Sequence, residues 1–313
     1  MDSVERRVAR AVGATSAARR ERLASVWSGY GEVVRYELTG ADVASVVAKH
    51  VRPGAGSGRS HDRKLRSYEV ESTWYRDWAS RCGPGCRVAR CHGVDRREGE
   101  WLFVLEDLPA SGFASGRPYL SDPQLHAVLR WLAIFHATFL GERPRGLWRT
   151  GTYWFLRTRP DELRAMPRGP LRDAAAHIDA RLSGARHQTL VHGDAKPTNF
   201  GFARDGSVAA VDFQYVGGGC GMKDVAYLLA GEDQASVRRG LGVYFSALRS
   251  ALPRGARAVE EEWRALYPWA WADFHRFLAG WEPGWRFQHH ERALTEQVLA
   301  ELRPRGRRGS RRR

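Results

Sequence analysis

Long apolar segments are missing from this sequence. No run approaches the ~20 apolar residues that a membrane-spanning helix needs. Residues 1–12, MDSVERRVARAV, carry charges throughout and contain no apolar core of the kind that marks a secretory signal. We therefore expect a cytoplasmic protein without membrane partners. The 313 residues, 43% of them hydrophobic, are enough for one large domain or two smaller ones.

Cysteine is scarce, with four residues in the whole chain. Cys82, Cys86 and Cys91 are clustered and Cys220 is remote, which argues against a disulfide framework. The cluster, with His92, does not have the spacing of a standard zinc site, so we do not favour zinc binding.

Lysine is also scarce, because 46 of the 50 basic residues are arginine. The net charge of +15 is spread along the chain, apart from the tail RPRGRRGSRRR at 303–313, which we expect to be disordered. No motif that reads nucleic acid accompanies the charge, so no specific nucleic-acid partner is expected. Where arginine is the default cation, a lysine marks a position that needs a compact ammonium group. The four lysines are Lys49, Lys64, Lys196 and Lys223.

The sequence pattern predicts an α+β protein with two lobes. Residues 1–25 are expected to form a charged helical segment, and 26–104 a small β-rich lobe with one helix. The stretch 105–109 is the expected hinge, and 110–302 form a larger, mainly helical lobe. The helices expected in this lobe include 122–140, with Asp122 as a candidate N-cap, and 161–184.

A hairpin is predicted in FGFARDGSVAAVDF, around Asp205 and Gly206. Asp-Gly is a strong signal for a two-residue turn in which both residues have positive φ. With that turn, Asn199 directly faces Asp212, and their Cβ atoms are about 5 Å apart. An amide oxygen and a carboxylate at that separation are suitable ligands for Mg2+.

The stretch HGDAKPTN, residues 192–199, has the spacing His-x-Asp-x-x-x-x-Asn of a kinase catalytic loop. In that interpretation Asp194 orients the acceptor hydroxyl and takes its proton, while Asn199 and Asp212 hold the metal. Lys196 neutralises the transferred phosphoryl group, or is merely a surface lysine. His192 is expected to brace the loop. Asp194 as a turn cap and Asp212 as a strand end are the structural alternatives, which the joint pattern disfavours.

The β-rich lobe should bind the phosphates of the nucleotide. Lys49 lies in a predicted strand, VVAKHV, where a lysine is unusual unless it is paired. Glu71 on the following helix is the candidate partner, with Glu69 as its rival. The turn SGYGEVV allows backbone amides to approach phosphate oxygens, although an ordinary turn is an equal alternative. The candidate residues of the turn are Ser28, Gly29, Tyr30 and Gly31.

The connector VLEDL, at 104–108, is expected to lie against the adenine of the nucleotide. Its backbone would form the hydrogen bonds to the base, which makes Glu106 and Leu108 candidate binding residues. Glu106 and Asp107 have a structural alternative as solvated or capping residues.

These motifs, together with WSGYGE, LEDL and GMKDVAYLL, resemble the bacterial aminoglycoside-phosphotransferase-like kinases. The choline-kinase-like and ecdysteroid-kinase-like branch is the most similar, over about residues 25–290. The resemblance implies a protein-kinase-like fold and phosphorylation of a small-molecule hydroxyl with ATP and Mg2+. It also implies that Asp224 braces the catalytic loop. Gln214 stands where the family usually has glycine.

The acceptor site should lie in the helical lobe, near an aromatic-rich block. Most of its rings are expected in the core, and one or two beside the acceptor. The block contains few acids and the chain is basic, which favours a neutral or anionic hydroxylated natural product over a polycationic aminoglycoside; self-resistance to an antibiotic would fit. A nucleotide-binding pseudokinase scaffold and an aminoglycoside O-phosphotransferase are the alternative functions. We expect the protein to be a monomer or a homodimer. The rings are Trp263, Tyr267, Trp269, Trp271, Phe274, Phe277 and Trp281.

Overall fold

Five antiparallel strands near the start of the chain form one sheet, in the order β1-β2-β3-β5-β4. The computed structural model describes residues 3–26 and 29–303. Helix α1 and helix α2 pack on opposite faces of this sheet. The elements of this lobe are α1 Val4–Val12, β1 Ser16–Val26, β2 Gly31–Thr39, β3 Ser45–Val51, α2 Arg59–Asp77, β4 Cys91–Arg97 and β5 Glu100–Glu106.

Strand β5 is buried on both faces of the sheet, and its side chains point alternately to one face and to the other. Leu102 and Val104 pack with the α1 side of the sheet, whereas Trp101 and Phe103 pack with the α2 side. Lys49 of β3 is paired with Phe103. Because directly paired residues lie on the same face, Lys49 is on the α2 side.

The helix predicted over residues 1–25 is wrong in its second half. Helix α1 ends at Val12, and Gly13 follows with φ of 69°. Residues 16–26 form β1 instead, so the sheet begins ten residues before the predicted boundary at 26. The strand is an almost fully exposed edge, rich in Ala and Arg. Local propensity therefore favoured a helix, but pairing with β2 along the whole strand decides the structure.

The larger lobe is mainly helical, and it contains two small sheets, β10-β7 and β6-β8-β9. The predicted two-lobed α+β fold is thus confirmed. None of the helices between residues 3 and 303 is long and apolar enough to cross a membrane. The elements are β6 Ala114–Ser115, α3 Asp122–Thr138, α4 Pro160–Ala165, α5 Pro170–Asp173, α6 Ala175–Ser183, β7 Thr189–Val191, β8 Phe200–Phe202, β9 Val208–Ala210, β10 Gly217–Gly219, α7 Met222–Leu228, α8 Gln234–Ala251, α9 Ala256–Trp281 and α10 His289–Leu302.

Two helix predictions in this lobe need correction. Asp122 is already the first helical residue of α3; the N-cap is Ser121, whose N–H and Oγ–H donate to Gln124 Oε1 at 3.1 Å. The predicted helix 161–184 is three separate helices, α4, α5 and α6. Pro167 and Pro170 interrupt the pattern, because the residue before a proline is driven out of the helical region.

An aromatic cluster joins α2 to the larger lobe. The Trp74 ring is fully buried and stacks on Phe213 with ring centroids 4.4 Å apart. Phe135 of α3 and Phe139, which directly follows this helix, contact the same indole with ring centroids 5.7 and 5.6 Å away. Offset-stacked and edge-to-face rings stabilise each other beyond the area they bury, so this cluster fixes α2 against the helical lobe.

The β8–β9 hairpin differs from its prediction by one residue. Phe200 pairs with Ala210, and the N–H of Val211 donates to the Asn199 carbonyl at 3.0 Å, so Asn199 faces Val211 rather than Asp212. Gly206 has φ of +83°, but Asp205 does not have a positive φ. The connection is therefore a three-residue loop ending in a left-handed glycine, not the two-residue turn.

The conformation of this loop predicts that two Gly→Ala substitutions, one in the loop and one in a helix, change the free energy of unfolding in opposite directions. Gly206→Ala should destabilise the protein by about 1–2 kcal/mol, because a Cβ disfavours left-handed backbone. Gly242→Ala, in the exposed interior of α8 with nothing near the new methyl group, should stabilise it by about 0.5–1 kcal/mol. Urea unfolding of both variants measures the difference; equal effects would contradict the loop conformation.

Candidate active site

The loop 192–199 is anchored by one fully buried carboxylate. Asp224, at the start of α7, accepts hydrogen bonds from the backbone N–H of His192 at 2.6 Å and of Gly193 at 2.9 Å. Its Oδ2 is also 3.1 Å from Nε2 of His136. A buried carboxylate that satisfies three donors is costly to displace, so the start of this loop is rigid.

Gly193 and His192 show why the loop has this sequence. Gly193 has φ of +80°, and a Cβ there would lie 2.1 Å from the Tyr215 carbonyl oxygen. The His192 Nε2–H donates to the Val211 carbonyl at 3.0 Å, and its Nδ1 accepts from the Asp194 N–H at 3.3 Å. Burial lowers the pKa of His192. The ring is therefore neutral and positioned as a brace.

Asp194 is held by three side chains and is only 7% exposed. Its Oδ2 accepts hydrogen bonds from Lys196 Nζ at 2.9 Å and Asn199 Nδ2 at 3.2 Å. Its Oδ1 accepts from the Tyr227 hydroxyl at 3.3 Å. Burial raises the pKa of Asp194 even though Lys196 opposes the shift. The carboxylate is thus a stronger base than an exposed aspartate.

The sequence analysis did not identify Tyr227 as a site residue, although its spacing from Asp224 indicates it. It follows Asp224 by three residues on α7, and residues at that spacing share one face of a helix. A helix that presents Asp224 to the loop therefore also presents Tyr227 to it.

Lys49 is paired with two carboxylates, of which Asp212 belongs to the larger lobe. Its ammonium is 2.7 Å from Glu71 Oε2 and 3.2 Å from Asp212 Oδ1. Burial alone would lower the pKa of Lys49, but Asp212 and Glu71 raise it. Burial raises the pKa of Glu71 to about 7 against the effect of Lys49. Lys49 is thus charged and fixed at the cleft.

The predicted choice between the two glutamates agrees with the contacts. Glu71 is fully buried beside Lys49. Glu69 lies 3.4 Å from both Arg66 and Arg96, outside this pair.

Asp212 lies in the site, but not because it is paired with Asn199 across the hairpin, as was predicted. It lies beyond the β8–β9 ladder and has φ of 66°, so strand pairing does not set the direction of its side chain. Burial would raise the pKa of Asp212, but Lys49 and Lys196 lower it. Asp212 and Asn199 are not a directly opposed pair, yet both line the same cavity.

That cavity, here called the apolar cavity, lies between the lobes and has a volume of about 440 Å³. Leu108 and Glu106 of the connector line it, and the Glu106 carboxylate accepts hydrogen bonds from Arg87 at 2.6 Å and the Arg90 N–H at 3.0 Å. Its apolar walls include Val33, Val47, Leu105, Leu108 and Phe113, and its polar end includes Lys49, Glu71, Asn199 and Asp212.

The described part of the predicted glycine turn, Gly29 to Gly31, lies beside α2 and is not among the residues that line the apolar cavity. Ser28 lies outside the described residues. Gly29 precedes Tyr30, whose hydroxyl is 2.8 Å from Nδ1 of His61 and whose ring centroid is 5.0 Å from the Lys64 ammonium. Gly31 is the first residue of β2, so the turn lies next to the start of α2.

A second cavity, here called the aromatic cavity, has a volume of about 580 Å³. It shares Lys196, Asp212 and Gln214 with the apolar cavity, and Asp194 also lines it. Of the predicted aromatic block, Trp281 is 45% exposed and lines this cavity, while the other rings are buried. Sequence reasoning missed several further lining residues, which come from distant segments. They include Arg63, Tyr153, Arg159, Tyr215 and Tyr227.

Comparison with known proteins identifies the family. The model of the phosphotransferase enzyme family matches residues 25–269. The chain belongs to this family. The predicted resemblance to aminoglycoside-phosphotransferase-like kinases, and the prediction of a phosphotransferase with an alcohol group as acceptor, are thereby confirmed. No curated protein sequence matches the chain significantly.

Solved structures share the fold of this phosphotransferase. A proposed fructosamine-3-kinase from Thermobifida fusca is 19% identical, with 97% of this chain and 100% of that chain covered and a TM-score of 0.54. Amicoumacin kinase hAmiN, in complex with AMP-PNP, Ca2+ and Ami, is 15% identical (90% and 86% covered; TM-score 0.51). Choline kinase LicA from Streptococcus pneumoniae is 14% identical (91% and 94% covered; TM-score 0.50). At these low identities, the TM-scores indicate a common fold.

The brace at Asp224 predicts a large effect on stability. Asp224→Ala should lower the free energy of unfolding by about 2–4 kcal/mol, because buried N–H groups of the loop lose their acceptor. Asp233→Ala, which removes the exposed N-cap of α8, is the control and should cost about 1 kcal/mol. Chemical unfolding of the two variants tests this; an Asp224→Ala cost no larger than the control's would show that Asp224 is not the anchor.

Proposed function

We propose that this phosphotransferase is an ATP-dependent small-molecule kinase, which transfers the γ-phosphoryl group to a hydroxyl of a metabolite or an antibiotic. The observation that carries the proposal is the meeting of the two cavities at Lys196, Asp212 and Gln214, next to Asp194. A nucleotide in the apolar cavity and an acceptor in the aromatic cavity would approach each other there. Amicoumacin kinase, solved with AMP-PNP, is consistent with a nucleotide as the donor.

The apolar cavity suits the base of a nucleotide at one end and its phosphates at the other. Apolar walls from both lobes would enclose the adenine, with the connector backbone at its edge. Lys49 would bind the α- and β-phosphates, and Glu71 would hold the ammonium in place. Binding of phosphate by the amides of Ser28, Gly29, Tyr30 and Gly31 stays a prediction.

The residues at the polar end fit a magnesium ion that is bound together with phosphates. Asp212 contributes a carboxylate of lowered pKa. The Nδ2 of Asn199 donates hydrogen bonds to Asp194, so the Oδ1 of Asn199 is directed away from these contacts and can bind a metal ion. Over residues 3–26 and 29–303 no group of three or more His, Cys, Asp or Glu side chains is arranged to hold a metal alone. Mg2+ commonly takes one or two protein ligands and completes its shell with water and phosphate oxygens.

Once bound, Mg2+ would neutralise charge on the phosphates. Asp194 would accept a hydrogen bond from the acceptor hydroxyl and take its proton during transfer. Asn199 and Tyr227 orient its carboxylate for that task. Lys196, 2.9 Å from Asp194, would stabilise negative charge on the transferred phosphoryl group. Positioning and charge neutralisation, rather than covalent catalysis, would provide the rate enhancement.

The first experiment is a screen of hydroxylated metabolites and antibiotics with labelled ATP, with the product detected by its mass shift. Phosphorylation of an alcohol supports the kinase; binding of ATP without any phosphoryl transfer, even to water, supports the pseudokinase scaffold. Phosphorylation of aminoglycosides alone would support the aminoglycoside O-phosphotransferase. A cytoplasmic location, a monomer or homodimer, and the absence of a specific nucleic-acid partner stay predictions.

Asp194→Asn should lower kcat for phosphoryl transfer by roughly 10²–10⁴-fold, because the amide cannot take the hydroxyl proton. Affinity for ATP should remain close to that of the wild type, since Asp194 contacts the acceptor. Steady-state kinetics and calorimetric titration with ATP measure the two quantities. Asp205→Asn, in the exposed hairpin loop, is the matched control and should retain full activity. Equal kcat for the two variants would rule out Asp194 as the base.

A further inference from the structure

We propose that the acceptor carries an anionic group, a carboxylate or a phosphate monoester, and that Arg63 binds this group in the aromatic cavity. The inference rests on the proposed function, because the hydroxyl of the same molecule must reach Asp194. It narrows the substrate class by the charges that line the cavity.

Each carboxylate that lines the aromatic cavity already has a cation of its own. The positive charges of these four cations are therefore neutralised within the protein and do not call for an anion from the acceptor. The four pairs are Asp194–Lys196 (2.9 Å), Asp212–Lys49 (3.2 Å), Glu162–Arg159 (3.0 Å) and Asp161–Arg164.

Arg63 differs from these cations, because its hydrogen-bond partners are neutral oxygens. Its guanidinium donates to the Thr158 carbonyl at 3.0 Å and to the Ser60 hydroxyl at 3.3 Å. Its Nε is buried and has no hydrogen-bond partner. Within the described parts of the chain, no carboxylate lies within 4.0 Å of it. Glu162 attracts the charge of Arg63 from beyond that distance, but this carboxylate is already paired with Arg159. A half-buried guanidinium without a close counter-charge is costly, and an anion of the acceptor would supply one.

Lys64 adds a positive charge at this wall, and Arg159 acts on both Arg63 and Lys64 although it is itself paired with Glu162. Lys64 and Arg159 line the same cavity as Arg63. Burial lowers the pKa of Arg63, and the charge of Arg159 lowers it further. Burial, Arg63 and Arg159 lower the pKa of Lys64 in the same way. These groups disfavour one another's charge, so an anion between them would relieve the repulsion.

The same arrangement of charges disfavours a cationic acceptor. A polycationic acceptor would meet Arg63 and Lys64 in a cavity whose four carboxylates are already paired within the protein. The Arg159 guanidinium is also fixed, because it lies 5.3 Å from the Trp281 ring centroid and its Nε donates to the Tyr153 carbonyl at 2.6 Å. The rings of Tyr153, Tyr227 and Trp281 supply apolar contact for the body of the acceptor. The substrate class is thus a hydroxylated anion with an apolar or flat body.

The test compares hydroxy acids with their methyl esters and with amine analogues of the same shape, using labelled ATP. We expect kcat/KM to be about 10–100-fold higher for the acids, the range of one charge-assisted hydrogen-bonded pair. Arg63→Gln should raise KM for the acids by a similar factor and leave kcat and the KM for ATP nearly unchanged. Arg63→Lys should recover part of the loss, because it keeps the charge.

Arg76→Gln is the matched control, since it changes the net charge equally at the far end of the same helix, on an exposed side chain. It should leave all constants unchanged. Preference for esters or amines, or an unchanged KM in Arg63→Gln, would overturn the inference while leaving the kinase intact. Failure to bind ATP with Mg2+ would instead overturn the proposed function.

If ATP binds but no compound in the panel is phosphorylated, a direct binding experiment tests whether Arg63 forms an anion site. Protein loaded with a non-hydrolysable ATP analogue is titrated with benzoate and with neutral benzamide. Saturable binding of benzoate that weakens at least about tenfold in Arg63→Gln supports the anion site, as the loss of one charge-assisted contact would produce. Equal binding of both compounds, or of benzoate by both proteins, contradicts it.

Discussion

The Lys49 ammonium, held between Glu71 and Asp212, is the interaction on which the site depends. It joins strand β3, helix α2 and the segment that follows β9, and so fixes both lobes at the polar end of one cavity. A buried lysine is stable in this position only because two carboxylates surround it. The stacked rings of Trp74 and Phe213 hold α2 and this segment together behind the ion pair. The cleft is therefore a preorganised polar site on an aromatic support.

The catalytic loop has a second, independent support. Asp224 anchors its start through backbone N–H groups, and Tyr227 of the same helix contacts Asp194. One helix, α7, thus positions both the backbone of the loop and the carboxylate at its centre. The two supports bring Asp194 to the junction of the apolar and aromatic cavities, where chemistry between two bound molecules is expected.

Local spacing was sufficient to predict much of the site. The motif from Asp194 to Asn199 forms one loop beside the two cavities. The rarity of an unpaired lysine in a strand indicated Lys49, which is paired with Glu71 in the structure. The hairpin register was not predictable, because a glycine with positive φ ends both two-residue and three-residue loops. The Glu98–Gly99 turn, where both residues have positive φ, shows the two-residue form in the same chain.

Contacts between distant segments account for the other differences. Strand β1 carries helix-forming residues, and only its pairing with β2 makes it a strand. The aromatic cavity combines the start of α2, residues 153–162 and the end of α9. Its cations therefore become a cluster only in the folded chain, and no periodicity in the sequence indicates that they share one wall.

A crystal structure with a non-hydrolysable ATP analogue and Mn2+, located by its anomalous scattering, tests the central claim most directly. The account predicts an anomalous peak bound by the side chains of Asp212 and Asn199 and by phosphate oxygens, with Lys49 on the α- or β-phosphate. Nucleotide bound elsewhere, or a peak without these two ligands, would contradict it.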